Sequence, residues 1–108
     1  MALDEFDLIA RYFRTARLER AVDASATVLG IGDDAAVLQP AAGQQLVIST
    51  DTLVEGVHFP KDCPAAELGY RALAVAVSDL AAMAASPLGF TLALSLPQAT
   101  PGWLQAFS

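Results

Sequence analysis

Apolar positions recur at helical spacing from the start of the chain: Phe6, Ile9 and Phe13, with Leu8 and Tyr12 widening the stripe. The pattern predicts one amphipathic helix from Leu3 to about Leu18, a docking helix with Asp4, Glu5 and Asp7 in its first turn and Arg14 and Arg17 in its last, as the helix macrodipole favours. Asp7 and Arg11 have the i,i+4 spacing of a modest ion pair. The arginines at 11, 14, 17 and 20 fit a solvated face better than an anion patch. A small polar connector over 21–27 follows.

The period then changes. Gly30–Leu38 and Val47–Phe59 each join a short apolar run to oxygen-bearing side chains, and the seven residues Gln39–Gln45 between them hold the Pro and Gly of a turn. This predicts two antiparallel strands. Successive side chains of a strand face opposite ways, so Asp33 and Asp34 cannot both face one ion, whereas Ser49 and Asp51 can. Thr50 looks the other way and could offer its carbonyl. Oxygen ligands without a Cys or His cluster suit Mg²⁺ or Ca²⁺ better than zinc. Asp-Asp after Gly is equally the chemistry of a turn, and Ser-Thr-Asp that of a cap. A third alternating run, Phe90 to Leu96, stops at Pro97. Strands near 34–38, 46–52 and 89–96 with flanking helices make an α+β domain with a mostly antiparallel sheet. In the loop over 54–62 the sole histidine, His58, fits either a partly buried hydrogen-bonding role or a contact to a phosphate or other substrate group.

Pro64 suits the first position of a long helix reaching about Ala85, with Glu67 in its first turn. From Ala72 to Leu88 it is apolar on every side, which predicts burial. Asp79 is the only charge in that span, and no Lys or Arg follows Arg71. A buried carboxylate without a partner costs several kcal/mol, so Asp79 must be protonated, hydrated, paired at long range or metal-bound, unless it caps a new helix after a break at Ser78. Thr100 and Pro101 open a last helix, with Trp103 and Phe107 on one face. Its arrest at Ser108 suggests truncation.

Composition narrows the function classes. The 108 residues are the size of one domain, and 55 % are hydrophobic, enough for a core with apolar surface left over for a partner. The net charge of −6 disfavours non-specific nucleic-acid binding, which needs a basic footprint, but suits carboxylates neutralised by divalent cations. A single cysteine, Cys63, rules out an internal disulfide and fits a reducing, cytoplasmic setting. Neither a basic, apolar leader nor a membrane span is visible.

Taken together, Gly30–Val37, Ile48–Phe59 and Ala72–Met83, with Glu5–Phe13, resemble the thiamine-monophosphate kinases. The resemblance runs in order along essentially the whole chain and corresponds to the N-terminal third of those enzymes. That part is the ATP-binding domain they share with aminoimidazole ribonucleotide synthetase, selenophosphate synthetase and a hydrogenase maturation protein. It implies an aminoimidazole ribonucleotide synthetase N-terminal-domain-like fold over residues 1–108, paired through its sheet into a homodimer. It implies several Mg²⁺ ions on Asp34, Ser49, Thr50, Asp51 and Asp79, ATP as co-substrate, and His58 touching thiamine monophosphate, which is converted to thiamine diphosphate. The resemblance thereby selects Asp34 over Asp33 and gives Asp79 a metal as counter-charge. No Gly-x-x-x-x-Gly-Lys-Ser/Thr loop is present, so phosphates are expected to be held through metals and loop amides. Two departures stand out. Ala76 replaces a common Asn three residues before Asp79, and Ala84 replaces a common Gly, adding a methyl to a close-packed helix. The family's further Gly-Asp-Thr-Thr and Ser-Asp-Gly segments lie beyond Ser108, so the chain alone is expected to be inactive. The competing expectations are a non-catalytic metal- or nucleotide-binding or self-associating fragment, or a sibling enzyme of the superfamily, which the 49–59 string disfavours.

Overall fold

Asp4 opens the first helix, its Oδ1 accepting the Asp7 N–H at 2.8 Å. The helix α1 (Glu5–Leu8) runs directly into a π-helical turn, Ile9–Phe13, closed by the Arg14 N–H on the Ile9 carbonyl at 2.8 Å. Arg14 then leaves helical geometry (φ −89, ψ 64), and the Thr15 hydroxyl accepts the Leu18 N–H at 3.4 Å to start α2 (Ala16–Glu19). The single helix expected to Leu18 is therefore broken. A hydroxyl able to cap the backbone competes with continuing the spiral, and here it wins. Tyr12 is the buried member of the apolar stripe at 4 % exposure, whereas Phe6 is 78 % exposed. Arg11 lies over the Tyr12 ring, 5.7 Å from its centroid, in place of the expected pairing with Asp7.

The structure is a computed structural model that describes residues 3–20 and 23–108. Residues 21 and 22 of the expected connector lie outside that range. The chain divides into two units, Met1–Leu46 with Pro87–Ala99, and Val47–Ser86 with Thr100–Ser108.

In the first unit Asp23 organises a tight turn. Its carboxylate accepts both the N–H and the hydroxyl of Ser25, and its carbonyl accepts the Thr27 hydroxyl at 2.9 Å. Ala26 is buried within this turn, and the Asp23 N–H donates to the Leu88 carbonyl at 2.7 Å, which ties in the second stretch of the unit. Strand β1 (Thr27–Leu29) pairs antiparallel with β2 (Val37–Leu38), Thr27 opposite Leu38 and Leu29 opposite Val37, with an irregularity between. Gly30 to Ala36 thus form the connection between two strands, and the partner of 37–38 is 27–29, not 46–52 as expected. The described residues combine helices with one small antiparallel two-stranded sheet, not the larger sheet expected. Segments 46–52 and 89–96 carry no ladder among the described residues. Alternation marks a segment that can pair; the pairing itself needs a second backbone.

The second unit is built on α3 (Ala65–Ala82), with α4 (Pro101–Phe107) packed against it. Leu68 and Leu104 are the buried contacts, Leu104 completely so. Gly69 permits the approach, because a Cβ there would collide with the Phe107 carbonyl. Trp103 and Phe107 stack on each other, centroids 4.9 Å apart and planes 13° from parallel, instead of forming the core themselves. Thr100 stands at the N-cap without a side-chain cap bond. The helix α3 runs unbroken through Ser78 and Asp79 and ends three residues earlier than Ala85. Contrary to expectation the span from Ala72 onward is not buried all round: Leu73, Val77 and Asp79 are exposed, and so is Met83 just past the helix end. Small alanines on every face need little cover, and α4 covers only one side.

Candidate functional site

The second unit assembles three of the predicted ligands. Ser49 and Asp51 lie two apart on the extended segment after Val47, and Asp79 lies near the C-terminal end of α3. The Ser49 hydroxyl donates to Asp79 Oδ2 at 3.4 Å. Asp51 stands close enough to Asp79 for the two carboxyls to share a hydrogen bond. Hydrogen bonding to Asp79 first, then the Asp79 charge and slight desolvation, raise the Asp51 pKa above its ordinary value. Nothing cationic is among the influences on it. Thr50, between the two, is exposed with no side-chain hydrogen bond among the described residues.

Asp34 belongs to the first unit, in the connection between β1 and β2. Its N–H donates to Asp33 Oδ1 at 2.8 Å, and both residues are exposed. Gly32 turns the chain there at φ +116, and a Cβ on it would meet the Arg14 guanidinium at 3.0 Å. That contact was missed in the sequence, where Arg14 reads as one of four solvated arginines. Among the described residues no group of three or more His, Cys, Asp or Glu side chains is arranged to hold a metal. Asp51, Asp79 and Ser49 form a smaller donor set, yet they fit a hard divalent cation. All are oxygens, two are anionic and mutually repelling, and such an ion ordinarily completes its shell with water and phosphate.

His58 is held by a turn. Its Nδ1 accepts the Val54 N–H at 2.9 Å, while the N–H groups of Val57 and His58 reach the Val54 carbonyl at 3.0 and 2.8 Å. Gly56, at φ +79, donates to the Phe59 carbonyl at 2.7 Å. The hydrogen-bonding role expected of His58 is present, but the side chain is exposed, not partly buried. The role of Val54 went unread, although a glycine midway between residues four apart is a signal for such a turn. A cleft of about 260 Å³ in the first unit, lined by Asp23, Ser25, Gln39, Gln44 and Leu88 among others, contains none of the predicted site residues. Asp23 there is committed to Ser25, whose hydroxyl and N–H hold its pKa below the usual value. Among the described residues no helix is long and apolar enough to cross a membrane.

The sequence pattern of the family described as AIR synthase related protein, N-terminal domain, matches residues 32–108. Over all 108 residues the chain is 55 % identical to a thiamine-monophosphate kinase of Escherichia coli K12, and 46 % identical to one of Haemophilus influenzae. It is 59 % identical over 76 residues to the thiamine-monophosphate kinase of Synechococcus elongatus, covering 68 % of this chain and 23 % of that protein. The chain spans 32 % of the length of the first two.

Proposed function

This chain belongs to the family of AIR synthase related proteins, as their N-terminal domain, and on that premise we propose that it supplies the ATP- and Mg²⁺-binding part of a thiamine-monophosphate kinase. The reaction moves the γ-phosphoryl group of ATP onto the phosphate of thiamine monophosphate, giving thiamine diphosphate. The observation that carries this reading is the meeting of Asp51 and Asp79 with the Ser49 hydroxyl beside them, in a chain so similar to enzymes of that name.

The acceptor is a phosphate monoester with a second pKa of about 6, so at neutral pH it is largely dianionic and needs no strong base to attack. The difficulty is bringing two polyanions together. Asp51, Asp79 and Ser49 would hold divalent cation, with Asp34 and Thr50 as the further ligands the family pattern assigns. When bound, such ions neutralise phosphate charge and align an in-line displacement. His58 binds the phosphate of the acceptor. The protein acts in the cytoplasm as a homodimer, and the assignment of turnover is to the protein that carries this chain, not to these 108 residues alone. The test is Asp79→Asn in that protein: Mg²⁺-dependent formation of thiamine diphosphate should fall by about a hundredfold or more, the scale of losing a transition-state charge contact. Undiminished turnover would refute the ligand role.

A further inference from the structure

Both backbone polar groups of Val54 are engaged by the same short turn. Its carbonyl takes the N–H groups of Val57 and His58, and its own N–H goes to the imidazole Nδ1. A ring nitrogen that accepts an N–H carries no proton, so the proton of the neutral imidazole sits on Nε2. His58 is exposed, and Nε2 has no protein partner among the described residues. The ring is thus anchored at one nitrogen and open at the other.

We propose that the Val54 amide is a positioning group that fixes His58 as its Nε2–H tautomer, so that His58 meets an anionic phosphate oxygen as a neutral hydrogen-bond donor and not as a base. The identity of the phosphate-bearing ligand rests on the kinase reading; the tautomer does not. The chemistry suits an acceptor that must be held and yet remain nucleophilic. A neutral donor fixes one phosphate oxygen without cancelling the charge on the attacking one, and an Nε2 that carries its proton has no lone pair to act as a base, the ring's one basic nitrogen being the Nδ1 that accepts the Val54 N–H. Gly56 serves the same end through the backbone: at φ +79, with nothing within 4 Å of a Cβ built on it, its requirement is conformational and not steric.

Two substitutions separate the halves of the ring. Asparagine places an acceptor near the position of Nδ1 but nothing at Nε2, and glutamine reaches the position of Nε2 but leaves the Val54 N–H unpaired. In the wild-type protein carrying this chain, nitrogen-15 NMR of the imidazole should show an unprotonated, hydrogen-bonded Nδ1 and a protonated Nε2. Calorimetry with thiamine monophosphate should show His58→Asn weakening binding about tenfold or more, the loss expected of a bond to a charged group. His58→Gln should retain more affinity than His58→Asn. The opposite tautomer, or a rapidly exchanging mixture, overturns the proposal, as does unchanged affinity in His58→Asn. Failure of the kinase reading looks different: the wild-type protein then binds no thiamine monophosphate, and the NMR result still decides the tautomer.

Discussion

The Asp79 carboxyl beside Asp51 makes ionisation of Asp51 less favourable than it is for an isolated aspartate. The raised pKa of Asp51 gives this a measurable sign. The folded chain holds that proton more tightly than the unfolded chain, so the associated stability is fully present below the ordinary aspartate value of 3.8 and is lost as pH rises through the higher folded value. Melting of the metal-free protein followed across that window should show wild type losing ground to Asp79→Asn as pH increases, with Mg²⁺ closing the gap. A gap independent of pH would mean that the two carboxyls do not interact. The importance of Asp79 was legible as the one charge in an apolar span, but the reason attached to it was burial, and the residue is exposed. What the structure shows instead is its effect on Asp51, a neighbour 28 positions earlier in the sequence that no local pattern announces. Asp34 remains assigned by the family pattern alone.

At the scale of elements, the ends of helices were harder to read than their existence. The start of α3 after Pro64 was plain, but at its alanine-rich end the nearest stop signal, Pro87, lies beyond the residue where the helix stops. The stop is made by the backbone. Ala85 donates to the Leu80 carbonyl at 2.9 Å and Ala84 to that of Ala81 at 3.0 Å, the doubly bonded ending that places one residue in the left-handed region. That residue is Ala84, at φ +54. The glycine that the resemblance places there is therefore explained by conformation and not by close packing within a helix. A side chain in this region costs about 1 kcal/mol or somewhat more, and the greater freedom of glycine in the unfolded chain offsets part of it. Ala84→Gly should raise stability by roughly 0.5 kcal/mol, a shift of a few degrees in melting temperature for a domain of this size. A lower melting temperature would show that the strain is absent. The break at Thr15 has a different origin: a side chain bonding nearby backbone outbids a hydrophobic period that spans it.

At the scale of the whole molecule, the strands expected at 46–52 and 89–96 define what the chain alone leaves undone. Alternation predicts which face of a strand is apolar, but a ladder depends on a partner backbone, about which one segment is silent. Single exposed apolar residues need no explanation, whereas Leu46, Val47 and Ile48 are consecutive and all exposed, Ile48 by 82 %, on backbone without ladder bonds. Such a segment behaves as a sheet edge, and an edge without charge or proline invites pairing with another chain. The expected outcome is self-association: sedimentation of the chain should give an apparent mass that rises with concentration. Ile48→Lys places a charge on the segment, on the face that alternation turns away from Ser49, and should shift the equilibrium toward monomer while leaving Mg²⁺ binding by Ser49, Asp51 and Asp79 in place. A wild-type chain that sediments as a strict monomer at high concentration rules out pairing through this segment. Association unaffected by Ile48→Lys moves the interface elsewhere, with exposed Phe6 and Tyr70 as the next residues to change.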